Sequence, residues 1–230
     1  MNTIVQHLQK VHDRIAAAAA ICERSPNDIQ LLAVSKTKPA TDVQAAYAAG
    51  QRQFGENYVQ EAVDKISALK AECPGIRWHL IGPLQSNKSR LVAESFDWVQ
   101  SVDRLRIAQR LSDQRPGNMR PLNICLQVNI SGEENKSGLQ PAQVEELARQ
   151  VSQLPGLCLR GLMAIPEATD NSDRLKTQLL ELKQLFDRMA EKYPQMDTLS
   201  MGMSTDLELA VACGSTLVRV GTAIFGSRNY

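Results

Sequence analysis

Neither sign of charge is in excess in this sequence. It has 26 Lys and Arg against 25 Asp and Glu, a formal net charge of +1 over 230 residues. Such a balance gives no broad field for nucleic acid and no acidic tail. Paired cysteines are also missing. Cys22, Cys73, Cys125, Cys158 and Cys213 are scattered with no C-x-x-C pair, so neither a zinc site nor a disulfide framework is indicated, and they read as reduced, mostly buried thiols. No apolar run approaches membrane-spanning length, and the amino end has no basic segment leading into an apolar core. His7 and His12 lie five apart, which is not a ligand pair on one helical face. The expectation is a cytoplasmic protein with neither nucleic acid nor membrane as partner.

What is present is an alternating rhythm. Hydrophobic residues make up 43% of the chain and charged ones 22%, enough for a sizeable core. Ile4, Leu8, Val11 and Ile15 recur at helical spacing and alanines 16–20 extend the helix, until Ser25-Pro26-Asn27 breaks it. Eight strand-like stretches follow, centred on 31–34, 51–57, 78–83, 96–101, 122–130, 157–164, 198–203 and 217–226. Helical patterns separate them: Val59, Val63, Ile66 and Leu69; Leu105, Ala108 and Leu111; Val144, Leu147 and Val151; Leu175, Leu179, Leu182 and Phe186. Eight strands alternating with helices, with no linker, predict a single α/β domain over 1–230. It is a (β/α)8 TIM barrel with an extra N-terminal helix.

Chemistry collects at the carboxyl ends of these strands. Lys36 follows the apolar run Leu31-Leu32-Ala33-Val34, at the edge where such barrels build their sites. A lysine half out of water there can lose its proton and condense with a carbonyl as a Schiff base. After the seventh strand, Gly202-Met203-Ser204-Thr205-Asp206-Leu207-Glu208 pairs glycine with hydroxyls, and Thr205 to Glu208 has capping-box spacing. After the eighth, Gly221-Thr222 offers close backbone approach and a hydroxyl donor. These two loops are where barrels of this kind bind phosphate. Arg219 interrupts an apolar strand, and a guanidinium facing inward needs a ring nitrogen or a carboxylate as partner. A lysine, a phosphate cup and an inward arginine together suggest pyridoxal 5′-phosphate: Lys36 on the aldehyde, Ser204, Gly221 and Thr222 on the phosphate, Arg219 on the pyridine nitrogen. A cofactor-free Schiff-base lyase would need more buried Lys, Asp or Glu on the strands than are found.

Several long motifs carry a resemblance. Ala33-Val34-Ser35-Lys36-Thr37-Lys38-Pro39, Phe54-Gly55-Glu56-Asn57-Tyr58, Trp78-His79-Leu80-Ile81-Gly82-Pro83-Leu84-Gln85-Ser86-Asn87-Lys88, Gly161-Leu162-Met163-Ala164-Ile165-Pro166, Met201-Gly202-Met203-Ser204 and Val218 to Gly226 resemble the pyridoxal phosphate homeostasis protein family over nearly the whole chain. That family is similar to the barrel domain of alanine racemase and holds its cofactor through the lysine matching Lys36. The resemblance implies that Asn57, His79 and Met163 also line the pocket. It implies too that Lys136, in the Asn135-Lys136-Ser137-Gly138 loop, is a secondary lysine near the mouth. Cys213 stands where a small residue such as alanine is expected, which bears on packing alone.

The expected role is a non-enzymatic one: a monomer that stores, buffers or delivers the cofactor, with transient contact to apo-enzymes that need it. The alternative is a weak amino-acid racemase or a related pyridoxal phosphate enzyme of the same fold type. Racemisation needs a second acid/base on the far face of the substrate, which alanine racemase takes from an extra domain of its partner subunit. The chain ends at Tyr230, soon after the eighth strand, and is expected to lack room for such a domain. Tyr58 is the one tyrosine expected near a strand's carboxyl end.

Overall fold

The structure, a computed structural model, describes residues 3–133, 136–167 and 169–227; Asn135 and Tyr230 lie outside the described residues. Eight parallel strands close into a ring in chain order: β1 (Gln30–Val34), β2 (Gln53–Glu56), β3 (Arg77–Leu80), β4 (Trp98–Val102), β5 (Leu122–Val128), β6 (Leu157–Ala164), β7 (Thr198–Ser200) and β8 (Leu217–Val220). The ring closes where β8 pairs with β1, Leu32 beside Arg219 and Ala33 beside Val220. This is the expected TIM barrel.

Around it lie α1 (Thr3–Ile21), α2 (Ala40–Ala48), α3 (Val59–Leu69), α4 (Ser89–Ser95), α5 (Leu105–Gln114), α6 (Val144–Val151), α7 (Ser172–Lys192), α8 (Leu207–Ala212) and α9 (Thr222–Phe225). Most of those within the βα repeat bury an apolar stripe on the barrel side. Leu179, Leu182 and Phe186 of α7 are buried as their spacing predicts, each worth about 1.5–3 kcal/mol relative to exposure. On α5, Ile107 is buried with Ala108 and Leu111, while Leu105, expected on that face, is 38% exposed at the first turn. α1 buries Leu8, Val11, Ile15, Ala18 and Ala19 against α8 and α9, outside the βα repeat.

Two expectations at the site end need correction. The eighth strand does not run to Gly226. It stops at Val220, and residues 222–225 turn into α9 behind Gly221. The helix after β7 begins at Leu207 rather than Ser204, and the Thr205–Glu208 capping box does not form. Instead the Asp206 carboxylate accepts from the Met203 N–H (2.7 Å), which knots residues 203–206 into a turn. Gly202 enters that turn at φ +95°, and a Cβ there would come within 2.5 Å of the Ala210 side chain, so a side chain is excluded both by backbone conformation and by space.

Candidate functional site

The strands deliver their carboxyl ends to one mouth, and a cavity of about 320 Å3 opens there. Lys36, Asn57, Ser204, Arg219, Gly221 and Thr222 line it together, with Ile81 and Ile165 as apolar walls. Lys36 stands two residues past β1 and is half-buried. Asn57 directly follows β2, and its backbone passes so close to Gly82 that a side chain there would overlap the Asn57 carbonyl. The Asn57 Oδ1 is buried without a hydrogen-bond partner among the described residues, so it retains an unused acceptor at the cavity.

Arg219 is 4% exposed and does turn inward. Its Nη1 donates to the Ser200 carbonyl (2.8 Å) and to Ser200 Oγ (2.6 Å), and its Nη2 donates to the Ala164 carbonyl (2.8 Å). Three bonds against five N–H groups leave the fork with donor capacity towards the cavity it lines. Burial pushes its pKa down to about 10, with Asp206 pulling the other way, so it stays a cation at neutral pH. Its setting was expected to supply a carboxylate or a ring nitrogen; within the chain it has carbonyls and a hydroxyl instead.

His79 and Met163 are not among the residues that line the cavity. Both are fully buried, each two residues before a lining residue on its strand, Ile81 and Ile165, and hence one layer deeper on the same face. Met163 packs with Trp98 and Cys125. His79 stacks on Trp98, with ring centroids 5.1 Å apart and planes 8° from parallel. A polar chain links His79 to the arginine: Ser200 Oγ donates to Gln100 Oε1 (2.6 Å), and Gln100 Nε2 donates to His79 Nδ1 (2.9 Å). An accepting Nδ1 makes the imidazole neutral, and burial lowers its pKa to about 3. Its Nε2 has no partner among the described residues.

The two glycine-hydroxyl loops flank Lys36 and Arg219. Gly221 caps α9 and its carbonyl accepts from the Ile224 and Phe225 amides, so the Thr222 and Ala223 amides take no part in that ladder. The first helix holds both loops from behind: Arg14 Nη2 donates to the Ser204 carbonyl (3.0 Å) while pairing with Glu208, and His7 Nδ1 meets the Ile224 carbonyl at 2.9 Å.

The family model described as the alanine racemase N-terminal domain matches residues 6–229. A curated relative in Escherichia coli strain K12, the pyridoxal phosphate homeostasis protein, is 57% identical, over all of this chain and 99% of that protein. The protein of the same name in Pseudomonas aeruginosa is 54% identical, over all of this chain and 98% of its own length. The chain belongs to the pyridoxal phosphate homeostasis protein family. Among solved structures, PipY of Synechococcus elongatus with PLP bound superposes with a TM-score of 0.79 at 40% identity, covering 92% of this chain and all of that one. An alanine racemase of Clostridium difficile shares the fold, with a TM-score of 0.78 at 14% identity, over all of this chain and 58% of that one.

Two further features of this family member surround the cavity. Asn57, Ile81 and Ile165 also border an adjoining space of about 280 Å3 that reaches Lys136, whose Nζ pairs with Glu133 (2.6 Å) and donates to the Pro166 carbonyl (3.3 Å). Tyr58 is 53% exposed and lines a separate groove with Gln85 and Lys88. The second feature escaped sequence reasoning: a charged cluster behind the Lys36 turn. Lys65 of α3 is 7% exposed and meets Glu56, which is wholly buried, at 2.8 Å, and Glu61 at 2.6 Å. Burial pushes the Glu56 carboxyl up, with Lys65 drawing it back. Helical spacing of Val59, Ala62, Lys65 and Leu69 was the available signal, and all four are buried.

Proposed function

We propose that this barrel binds pyridoxal 5′-phosphate through Lys36 and buffers, stores or delivers it in the cytoplasm without robust turnover of its own. The carrying observation is that Lys36, Arg219 and the Ser204 and Gly221-Thr222 loops share one cavity. The cavity's chemistry fits the cofactor. Two hydroxyls and the first-turn amides of α9 suit a phosphate, Arg219 can donate to a ring nitrogen, and the unused Asn57 acceptor suits a polar ring substituent. When bound, the cofactor supplies an aldehyde that condenses with the Lys36 amine and loses one water. No metal enters this reading.

Arg219, a guanidinium that stays charged, can only donate to the ring nitrogen and so disfavours its protonation, which leaves a poor electron sink. Racemisation further requires an acid/base facing Lys36 across the substrate. Tyr58, the one tyrosine expected near a strand's carboxyl end, lines the neighbouring groove and not this cavity. The first test is borohydride fixation of pyridoxal 5′-phosphate on the purified protein with mapping of the labelled lysine, followed by cofactor transfer to an apo-enzyme. The label falls on Lys36, transfer proceeds, and α-proton exchange of L- or D-alanine in deuterated water is negligible. Racemisation at roughly 1 s⁻¹ or faster would replace the carrier with an enzyme.

A further inference from the structure

The turn that carries Lys36 is gripped on both flanks from outside the cavity. On one flank, Ser35 Oγ donates to Glu56 Oε1 (2.7 Å) and the Ser35 carbonyl accepts from Lys65 Nζ (2.7 Å). On the other, the Thr37 N–H donates to Glu61 Oε1 (2.6 Å), the oxygen that also accepts from Lys65 Nζ. Lys65 thus ties together a backbone carbonyl before Lys36 and the carboxylate that holds the amide after it. Between these ties the chain makes an unusual turn: Thr37 sits at φ +62°, a left-handed conformation that a β-branched residue adopts only when its surroundings impose it. Lys38 N closes the turn onto the Ser35 carbonyl (3.1 Å).

A buried lysine between two carboxylates is a poor way to gain stability, because desolvating the charges offsets their attraction. What such a cluster does supply is fixed geometry, and the one left-handed non-glycine turn beside the cavity among the described residues is where this cluster acts. We propose that Lys65, with Glu56 and Glu61, is a positioning device that imposes the turn aiming Lys36 into the cavity. Lys65, Glu56 and Glu61 are not among the residues lining the cavity. They act through Ser35 and Thr37. Covalent capture of the aldehyde and recognition of the phosphate are then separately held, the first by this cluster and the second by the loops after β7 and β8.

The inference rests on Lys36 being the attachment point, and the test separates the two. Two probes are titrated by fluorescence or calorimetry: pyridoxal 5′-phosphate, and pyridoxine 5′-phosphate, whose alcohol cannot condense with an amine. Lys65→Met and Glu61→Ala should each weaken the aldehyde probe by about tenfold or more, as expected for a misplaced reacting group, and leave the alcohol probe within about twofold of wild type. Adding Thr37→Gly to Glu61→Ala should restore much of the loss, because glycine takes φ +62° without strain. Glu61 is partly exposed, so its substitution carries the test if Lys65→Met fails to fold. Equal weakening of both probes, or of neither, with wild-type label on Lys36, overturns the positioning role alone. Wild-type label on another lysine overturns the attachment reading as well.

Discussion

The two sides of the barrel mouth are built differently. The arc formed by β7, β8 and β1 is tied down at every element: Arg219 by three hydrogen bonds, the Lys36 turn by Lys65 and its carboxylates, and both flanking loops by α1. The arc after β5 and β6 has fewer ties between elements, Lys136 on the Pro166 carbonyl and Gln178 of α7 on the Glu167 amide, and its β5 loop is held mostly from within. There Asn129 Nδ2 donates to the Glu133 and Lys136 carbonyls, and Lys136 leans on Glu133 at the surface. The difference teaches that cross-element bonding is concentrated where a ligand would have to be held still. The opposite arc has the looser build, the side on which the proposed exchange of cofactor would meet least resistance.

The largest expected effect breaks that contrast at its centre. Lys36→Ala should abolish the borohydride-stable label at position 36 and cofactor transfer that depends on it, leaving only weak pick-up at other lysines. Mass spectrometry of the reduced protein checks this.

Next comes the layer beneath both arcs. His79 has a folded pKa of about 3, below its unfolded value of about 6.5, so at intermediate pH the unfolded chain takes up a proton that the native state refuses. Its contribution is intact above about pH 6.5 and is lost as pH falls, by about 1.4 kcal/mol per unit down to roughly pH 3. Urea unfolding of wild type and His79→Gln across that range should show a shallower decline in the variant.

Smaller effects fall on the tied arc alone. Ser204→Ala or Thr222→Ala removes one donor to an anion and should weaken pyridoxal 5′-phosphate by about 1.5–3 kcal/mol, a factor of roughly ten to a hundred. Pyridoxal, without the phosphate, should lose more. Equal affinity for the two ligands would remove the phosphate cup from the account. Smallest of all, Lys136→Ala should change equilibrium affinity by less than about 1 kcal/mol, since its ion pair is at the surface. If instead it matches Lys36→Ala, the two arcs are not functionally distinct.

Much of this was readable from the chain. Lys36 announced itself by following four apolar residues at a strand's end, and Arg219 by breaking an apolar run; both signals are local. The eighth strand extends too far in the sequence reading because apolar residues continue past Gly221 as Ala223-Ile224-Phe225, and such a run does not tell strand from buried helix. The capping box at Thr205 failed because Asp206, one residue on, competes with its own bond to the Met203 amide. Depth was harder still. A period of two puts His79 and Ile81 on one face, but nothing in one dimension says which layer meets the cavity. A lysine among helical residues reads as solvated, and the partners that explain the burial of Lys65, Glu56 and the Ser35 carbonyl with Glu61, come together only in the fold.

The placement of α1 has a further consequence. The barrel's seam lies between β1 and β8, and the cavity straddles it: Lys36 and Asn57 come from one side, Ser204, Arg219 and Gly221-Thr222 from the other, nearly the full chain apart. Arg14 and His7 act as a latch across that seam. A ligand touching both sides is then a rivet, favouring the closed ring by mass action, about 2.7 kcal/mol at a hundredfold excess over Kd. An open seam parts the Lys36 amine from the phosphate loops after β7 and β8. Contacts of such long sequence separation carry a large loop-closure cost, and a ligand that needs both sides of the seam helps to offset it.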